Sequence, residues 1–449
     1  MADFYTGKKE YFPKIGKIKY EGPKGKDPLS FKFYDPEKKV GKKKMKDHLR
    51  FAVAYWHSFC ADGTDPFGSG TIPLPWTKDA KNPIEAAENK MDAAFEFFTK
   101  LGIGLYCFHD RDMAPEGSTP VESENNLKKL TDRAKKLQKA TGVKLLWGTA
   151  NVFTNPRFMN GAATNPEFGV VALAAAQVKA AIDATIELGG QGYTFWGGRE
   201  GYMSILNTDM KREKDHLGRF LAMARDYGRK NGFKGVYYIE PKPMEPTKHQ
   251  YDFDAETVIG FLRHYGLEKD FRLNLEANHA ELANHDFVHE LECAAAAGLF
   301  GSVDANRGDP RNGWDTDQFP NSYYETALAM LSILKAGGFT SGGLNFDAKI
   351  RRNSIDAADL FIGHIGGMDA FAAGLEIAQR IIDDGKIGGF IKKRYASFDS
   401  GHGAKFEKGQ MDFSALAEIG VESGYGKTGL TSGKQEYLEN IFNQYLLGL

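Results

Sequence analysis

Cysteine is scarce in this sequence, and neither sign of charge is in excess. The 449 residues include three cysteines, Cys60, Cys107 and Cys293, with no C-x-x-C spacing among them. Such a set supports neither a disulfide framework nor a cysteine zinc cluster. The 58 Lys and Arg residues balance 59 Asp and Glu residues, which gives a formal net charge of −1. Because no overall positive field attracts nucleic acid or an anionic membrane surface, we expect neither as a partner.

Long hydrophobic runs are also missing. The most apolar stretch, from Val170 to Ala184, is interrupted by Gln177, Lys179 and Asp183. It is shorter than the ~20 apolar residues that a membrane-spanning helix needs. The first fourteen residues contain no apolar segment of the kind found in a secretory signal. These features predict a cytoplasmic protein.

The composition is otherwise that of a large globular protein with many glycines. Hydrophobic residues make up 42% and charged residues 26%, which excludes a disordered chain. Glycine accounts for 51 of 449 residues, well above its usual share of about 7%, so we expect many tight turns. The chain exceeds the roughly 250–300 residues at which one core stops growing. It should therefore form one large domain with appendages, or two domains.

A short apolar run followed by a helix-like amphipathic stretch recurs eight times after residue 50. Successive runs lie 28 to 52 residues apart, by subtraction of their residue numbers, which suits a loop, a helix and a return to a parallel strand. Eight such units predict an α/β fold, a closed (β/α)₈ TIM barrel with its site at the strand C-termini. An open doubly wound sheet is the alternative, but its Gly-rich dinucleotide fingerprint is missing. The runs are FAVAYWH, GIGLYCFH, VKLLWGT, GYTFW, GVYYIEPK, FRLNLEANH, GSVDAN and GGLNFD.

Two terminal segments fall outside this pattern. Residues 1–48 form an N-terminal extension, and its lysine run from Lys38 to His48 is typical of a solvated face. The catalytic barrel occupies 49–384, with a last helix expected over roughly Asp369 to Asp384. Residues 385–449 hold too few apolar clusters for a core of their own. We expect them to form a mostly helical C-terminal arm that contacts another subunit.

Six carboxylates end or follow the last four predicted strands, which brings them to one rim of the barrel. Like charges a few Å apart raise one another's pKa steeply, so bound cations are the simplest resolution. Oxygen ligands suit Mg²⁺ or Mn²⁺, and one imidazole extends the choice to Co²⁺. Two divalent ions that share a carboxylate could clamp vicinal oxygens of a substrate. One ion would take Glu240, Glu276, Asp304 and Asp347, and the other Glu276, His279, Asp315 and Asp317.

Two further groups could act on a substrate. His109 ends the second run, and Asp112 lies three residues on. A carboxylate that holds one imidazole nitrogen fixes the tautomer, so the spacing predicts a general acid–base pair, although such pairs also brace loops. Lys242 follows Glu240 by two residues and shares its face of the strand end. It either contacts a substrate oxygen or forms a salt bridge.

Aromatic residues lie at or just past other strand ends. They are either plain packing or walls that suit the apolar faces of a sugar. The candidates for substrate binding are Trp56, Trp147, Phe153 and Trp196, together with Thr149 at the end of the third run.

Long motifs that carry these residues resemble those of xylose isomerases, of the longer class with an N-terminal extension. The likeness covers nearly the whole chain and includes FHDRDM, YIEPKPMEPTKHQYD, NLEANHAELANHDFVHE, VDANRGDPRNGWDTDQFP and GGLNFDAKIRRNS. The resemblance implies a (β/α)₈ barrel with a C-terminal arm, a homotetramer, and two divalent metals per subunit on the two ligand sets given above. It also implies that Trp196 forms a wall of the site and that Phe59 reaches into a neighbouring subunit's pocket.

The resemblance implies a reaction as well. His109 and Asp112 would assist sugar ring opening, and Lys242 would contact the carbonyl oxygen. The reaction would interconvert D-xylose and D-xylulose, and also D-glucose and D-fructose, by a metal-assisted 1,2-hydride shift in pentose metabolism. A multi-metal barrel phosphodiesterase is one alternative, but it should carry more histidine ligands and a basic surface. A sugar-binding protein without catalysis is the other, and it has no need of six acids, a lysine and a His–Asp pair.

Overall fold

A closed barrel of eight parallel strands forms the centre of the protein. The computed structural model describes residues 4–426 and 430–448. The order of strands around the barrel follows the chain, and the last strand pairs with the first. The predicted TIM barrel is confirmed: seven strands fall within predicted runs, and the seventh strand of the barrel begins one residue before its run. The strands are β1 (Phe51–Ala54), β2 (Leu105–His109), β3 (Lys144–Thr149), β4 (Gly192–Trp196), β5 (Val236–Glu240), β6 (Phe271–Glu276), β7 (Phe300–Asp304) and β8 (Leu344–Phe346).

Eight main helices form a layer around the barrel, one after each strand. Short helices begin directly at the ends of β1, β2 and β6, at Tyr55–Phe59, Asp110–Met113 and Ala277–Leu282. They keep the residues just past each strand at the rim. The main helices are α1 (Pro83–Leu101), α2 (Pro120–Thr141), α3 (Phe168–Glu187), α4 (Met210–Lys230), α5 (Ala255–His264), α6 (Phe287–Ala296), α7 (Tyr323–Lys335) and α8 (Ala357–Asp384).

Helix α1 begins and ends at residues that the sequence marks. The Asn82 side chain accepts the backbone N–H of Glu85, and Pro83 occupies the first helical turn, where a missing N–H costs nothing. Gly102 ends the helix with a φ of 79°, a left-handed conformation that glycine adopts without a steric cost. Helix α2 has the same design. Local sequence therefore sets the bounds of both helices.

Helix α8 is longer than the sequence predicts, since it begins at Ala357 rather than near Asp369. Glycines interrupt the helical pattern of this stretch and lower its intrinsic propensity. A Cβ on Gly374 would lie 2.7 Å from the backbone of Thr326 in α7, and one on Gly367 would lie 2.6 Å from the Phe346 ring. The missing side chains thus let α8 pack closely against α7 and β8.

The N-terminal extension shares the apolar core of the barrel. Phe12 is buried, and its ring centroid lies 5.2 Å from that of Phe361 in α8. The Asp369 carboxylate accepts the backbone N–H groups of Lys32 and of the two residues after it, each at 2.8 Å. These contacts attach the extension to α8. Its regular structure consists of the strands Lys19–Tyr20, Ser30–Phe31, Lys39–Val40 and Lys43–Lys44 and the helix Met45–Leu49.

The C-terminal arm is helical and lies largely outside the core. In the described part of the arm, the first three helices bury no residue, and Phe413 and Val421 are 85% and 84% exposed. Ile441 and Phe442 of the last helix are buried and belong to the main apolar core. The arm helices are α9 (Lys386–Tyr395), α10 (Gly401–Glu407), α11 (Phe413–Ser423) and α12 (Gln435–Leu446).

Two helices, α3 and α8, are long and apolar enough to cross a membrane when judged by length and composition alone. The core helices of soluble proteins pass the same test. Helix α8 is mostly buried, and α3 packs against α2 and β3. Both helices have places in the layer that covers the barrel.

His364 of α8 lies in the core of the fold. Its ring packs among Phe97, Phe319 and Phe346, and its Nδ1 donates to the carbonyl of Leu360 at 2.8 Å. Burial disfavours the charged imidazolium and lowers the pKa of His364 to about 4. The folded protein therefore holds this histidine neutral across the physiological range.

We expect His364 to make the fold sensitive to acid. In the unfolded chain the histidine has a pKa of ~6.5, above its pKa in the folded protein, so protonation below that pH favours unfolding. The free energy of unfolding therefore falls as the pH drops, by about 2 kcal/mol at about pH 5. Thermal unfolding at neutral pH and at pH ~5 measures this loss. In His364→Gln, which cannot titrate, the fall in Tm should be smaller. An equal fall in the two proteins would contradict the prediction.

Candidate active site

The side chains at the C-terminal ends of the barrel strands surround one cavity of about 190 Å³. Pockets for drug-sized ligands measure ~300–1,000 Å³, so this cavity suits a smaller molecule. Its wall includes every predicted site residue except Asp112, Asp304 and Phe59. The cavity is lined by Trp56, His57, His109, Trp147, Thr149, Phe153, Thr194, Trp196, Glu240, Lys242, Glu276, His279, Asp315, Asp317 and Asp347.

Four buried carboxylates form the first predicted ligand set, and one oxygen from each lies within 4.8 Å of the others. Burial and the neighbouring acids raise the pKa values of Glu240 and Glu276 well above their usual range, and burial and Asp347 raise the pKa of Asp304 to about 8. Such repulsion is relieved by a divalent cation, which takes carboxylate oxygens as ligands. The four residues therefore fit a metal site.

The second predicted ligand set lies beside the first. His279 Nε2 is 3.3 Å from Glu276 Oε2 and 3.2 Å from Asp315 Oδ2. Carboxylate oxygens of Glu276, Asp315 and Asp317 also lie within 4.8 Å of one another. Among the described residues, His279 Nδ1 and Asp315 Oδ1 are buried without a hydrogen-bond partner. Buried polar atoms without a partner are rare. A metal ion bound between these side chains would give such atoms a partner.

Asparagine side chains hold the carboxylates in place. Asn274 of β6 donates to Glu240 Oε2 at 2.8 Å and to Asp304 Oδ2 at 2.9 Å, so it bridges two strands. Asn306 donates to Glu276 Oε1 at 2.7 Å. These groups were not predicted as part of the site. Asn274 lies two residues before Glu276 and therefore on the same face of its strand. This spacing could have identified Asn274 as a site residue from the sequence.

His57 and Lys349 are cations of the site that sequence reasoning missed. His57 Nε2 lies 2.9 Å from Asp347 Oδ1 and 3.3 Å from Asp317 Oδ2, and Lys349 Nζ lies 2.8 Å from Asp317 Oδ2. Burial opposes the charge on His57, but the two carboxylates outweigh it and raise its pKa to about 9. Burial likewise opposes the Asp317 charge, but His57 and Lys349 hold its pKa well below the usual range. Lys349 follows Asp347 by two residues, as Lys242 follows Glu240.

The His109–Asp112 pair is present with hydrogen-bonding geometry. His109 Nδ1 lies 2.7 Å from Asp112 Oδ2, which leaves Nε2 for a ligand in the cavity. The Trp56 ring lies against the imidazole, with centroids 4.2 Å apart and planes tilted by 35°. The Phe153 ring meets it edge-on at 5.6 Å. The imidazole is thus fixed by a carboxylate and two aromatic rings.

Lys242 both forms a salt bridge and lines the cavity. Its Nζ lies 2.7 Å from Asp315 Oδ2 and 3.3 Å from Glu245 Oε2, and 5.3 Å from the centre of the Trp196 ring. Burial favours the neutral amine, but Asp315 and Glu245 outweigh it and raise the pKa of Lys242. The lysine is therefore a fixed positive charge beside the carboxylates.

Aromatic rings form the opposite wall of the cavity. Trp196 and Phe153 meet edge to face with centroids 4.4 Å apart, and Trp56 and Trp147 lie 5.5 Å apart. The Trp56 Nε1 donates to Asp347 Oδ1 at 2.8 Å. This bond ties the aromatic wall to the carboxylates, so the cavity has one apolar and one charged side.

Phe59 does not belong to the cavity, and the prediction that it reaches into a neighbouring subunit is wrong. It is fully buried, and its ring packs against Trp76, Phe97 and Phe98 with centroids 5.7 to 5.9 Å apart. The last turn of the short helix after β1 directs it toward α1. The exposed ring in this segment is Phe67, at 85%.

Known proteins resemble the chain over nearly its full length. It is 60% identical over 443 residues to xylose isomerase 2 of Xanthomonas campestris pv. campestris, which covers 98% of each chain. It is 59% identical over 442 residues to a xylose isomerase of Xanthomonas oryzae pv. oryzae, again over 98% of each. The chain belongs to the xylose isomerase family. The predicted resemblance is confirmed, and the chain is an enzyme of the isomerase class. Residues 391–446 also match the family model of the XylA2 C-terminal domain.

Solved structures share the fold at low sequence identity. A D-tagatose 3-epimerase-like protein has a TM-score of 0.50 at 12% identity, and the match covers 74% of this chain and 99% of that one. A putative xylose isomerase from Rhodospirillum rubrum has a TM-score of 0.50 at 13% identity, over 72% and 99%. At this identity the likeness supports the barrel fold alone.

We expect Asn274→Leu to weaken divalent-metal binding by about 10- to 100-fold, the usual cost of removing a group that orients ligands. Leucine is similar in size but cannot donate to Glu240 and Asp304. A Mn²⁺ titration followed by electron paramagnetic resonance measures the affinity. Asn126→Leu removes an amide that bonds the Pro115 carbonyl and should keep the wild-type affinity. Equal affinities in both variants would mean that Asn274 does not position the ligands.

Proposed function

We propose that the chain interconverts D-xylose and D-xylulose, and D-glucose and D-fructose in the same pocket, as an enzyme of pentose metabolism. One observation carries the proposal: a His–Asp pair, a charged lysine and a metal-binding carboxylate group converge on one small cavity. The identity of about 60% to proteins named xylose isomerase supports it. One pocket serves both sugars, because a single CH₂OH group changes binding by only ~1–3 kcal/mol.

We further propose two divalent ions per subunit, Mg²⁺, Mn²⁺ or Co²⁺. Glu240, Glu276, Asp304 and Asp347 would hold one, and Glu276, His279, Asp315 and Asp317 would hold the other. Glu276, the shared ligand, lies close to the other three carboxylates of the first set and also to Asp315 and Asp317 of the second. When bound, such ions polarise two adjacent sugar oxygens and stabilise negative charge that develops on them.

His109 opens the sugar ring in this proposal. Asp112 accepts the Nδ1 hydrogen, so Nε2 carries the lone pair and acts as the base. It takes the proton from the O1 hydroxyl and returns it at O5 as the C1–O5 bond breaks. Trp56 and Phe153 hold the imidazole in one orientation during the exchange.

Lys242 supports the carbonyl oxygen of the open sugar. Its charge is held in place by Asp315 and Glu245, so it can donate to O1 without a large rearrangement. The rings of Trp196 and Phe153 cover the apolar side of the sugar and exclude water from it. The open chain is thereby held between a charged and an apolar wall.

A hydride shift from C2 to C1 fits this cavity better than proton transfer. An enediol route needs a base at C2; His109 already serves O1 and O5 in this proposal, and a carboxylate base would have to be free of metal. In the described part of the chain, every carboxylate that lines the cavity belongs to a metal-binding group. The hydride therefore moves from C2 to C1 without leaving the substrate, while the O2 hydroxyl gives up its proton and O1 gains one, so that C2 becomes the carbonyl and C1 the alcohol.

We propose a cytoplasmic homotetramer in which residues 385–449 are the arm that contacts neighbouring subunits, outside the barrel of residues 49–384 and the extension of residues 1–48. Exposed apolar side chains mark interaction surfaces when they cluster. The arm carries many of them, and Phe67 offers another exposed ring near the barrel mouth. The large exposed apolar side chains of the arm include Ile391, Tyr395, Phe398, Phe406, Phe413, Leu416 and Val421.

Removal of metal should abolish the conversion of D-xylose to D-xylulose, and added Mg²⁺ or Mn²⁺ should restore it. In the restored enzyme, His109→Asn should lower kcat by about 10²- to 10⁴-fold, since it removes a general base. His264→Asn, at an exposed histidine of α5, is the matched control and should keep full activity. Folded protein with no turnover on any aldose, with any divalent ion, would overturn the proposal.

A hydride shift should bring no solvent hydrogen to C1 of the product. When D-xylose is converted in D₂O, we expect no deuterium at C1 of D-xylulose by nuclear magnetic resonance, because the hydrogen never exchanges with a base. Unreacted xylose in the same tube is the internal control for non-enzymatic exchange. Stoichiometric deuterium at C1 would establish an enediol route instead.

A further inference from the structure

A second group of metal-ligand side chains lies outside the cavity, between the N-terminal ends of α5 and α6. His285 lies in the loop before α6. His289 and Cys293 are four residues apart on α6, so they share one face of the helix. Glu290 lies beside them and points toward α5, where its Oε2 accepts the backbone N–H of Ala255 at 2.7 Å. The predicted catalytic residues take no part in this group.

Three of these side chains lie near one another, and Cys293 lies beside one of them, His289. One ligand atom each of His285, His289 and Glu290 lies within 4.8 Å of the others. His285 Nε2 is 4.0 Å from Glu290 Oε1, and His289 Nε2 is 3.5 Å from Cys293 Sγ. Zinc bonds of ~2.0–2.3 Å place neighbouring donors about 3.3–3.8 Å apart. The His289–Cys293 distance falls in this range, and the other donors would have to rotate closer to share one ion.

A buried oxygen of Glu290 points into this group without a partner. Glu290 is 4% exposed, and its Oε1 has no hydrogen-bond partner among the described residues. A buried carboxylate oxygen in this state is costly, and a cation at this point would satisfy it. Asp254 Oδ2 lies 3.3 Å from His285 Nε2, and Glu256 Oε1 lies 3.9 Å from Cys293 Sγ. The surroundings are therefore negative.

We propose that His285, His289, Glu290 and Cys293 bind a Zn²⁺ ion at a site separate from the catalytic cavity. Imidazole and thiolate ligands suit zinc and disfavour Mg²⁺, which prefers oxygen. The His289 side chain is exposed and Cys293 is half-buried, so an ion can enter from solvent. Burial and then Glu256 raise the pKa of the Cys293 thiol to about 11, and zinc binding displaces that proton to solvent.

The zinc ion would join α6 to the loop that precedes it, at the rim. Glu290 already contacts the first residue of α5, and His285 belongs to the loop that follows the short helix bearing His279. The backbone N–H of His285 donates to the carbonyl of Ala280 at 2.9 Å. A bound ion would therefore stiffen the segment behind His279 from outside the barrel. This role is structural and does not depend on the proposed reaction.

Co²⁺ added to the full-length enzyme in excess Mg²⁺ tests the proposal. Excess Mg²⁺ competes with Co²⁺ for the oxygen-rich cavity, and no cysteine is among the described residues that line it. Co²⁺ in that cavity therefore gives no thiolate-to-cobalt charge-transfer band in the near ultraviolet, and the band reports on the outer site. We expect the band in the wild type, with the intensity of one thiolate-bound Co²⁺ per subunit, and its loss on addition of Zn²⁺. His289→Gln should weaken Co²⁺ binding at least about tenfold.

Two cysteine variants complete the test. The band should vanish in Cys293→Ser and persist in Cys60→Ser, and far-ultraviolet circular dichroism shows that each variant is folded. Absence of the band in the wild type, or an unchanged band in Cys293→Ser, would overturn the proposal. An unchanged Co²⁺ affinity in His289→Gln would overturn it as well. The wild-type experiment decides the question even where a variant fails to fold.

Discussion

Repulsion among buried carboxylates at one end of the barrel is the constraint on which the rest of the site depends. Glu240, Glu276 and Asp304 are pushed toward their neutral forms by burial and by neighbouring carboxylates, Asp347 among them in each case. Positive charges and amide N–H groups of the fold partly compensate this repulsion. The amide is that of Asn274, and the cations are His57, Lys242 and Lys349. Divalent ions would supply the remaining positive charge. The electrostatic arrangement is therefore that of a metal site before any ion is considered.

The barrel makes this concentration of charge possible. A carboxylate at the end of a buried strand cannot move away, because the strand is hydrogen-bonded on both sides and covered by helices. Asn274 bonds carboxylates from the strands on each side of its own. The close packing of α8 on β8, which its glycines permit, closes the helical layer next to Asp347. Rigidity elsewhere in the fold thus keeps like charges together at the rim.

The barrel and most of the cavity wall could be predicted from sequence because they depend on local properties. A residue that ends a buried strand must lie at the rim, whatever the partner strands do. The roles of His57 and Lys349 depend on which carboxylates face them across the barrel, and no local pattern records that. The direction of the Phe59 side chain depends on the last turn of a five-residue helix. The sequence does not indicate whether that turn points the ring into the core or toward a neighbouring subunit. The glycines of α8 weakened the helical pattern in the sequence, so the first part of this helix was not predicted. In the structure the same glycines allow α8 to pack closely against α7 and β8.

In the arrangement we propose, the chain would separate two kinds of metal chemistry by the donors on the two sides of one short segment. His279 faces a cavity of oxygen donors, where hard divalent ions bind well. Six residues later, His285 lies beside the His289 imidazole and two carboxylates, and the Cys293 thiol lies beside that imidazole. The imidazoles and the thiol suit zinc. Zinc at the outer position would limit the motion of the helix Ala277–Leu282, which carries His279. Since His279 Nε2 lies close to both Glu276 and Asp315, the position of this helix sets the geometry of the inner ligands. The two sites would then be coupled through the backbone, although they share no ligand.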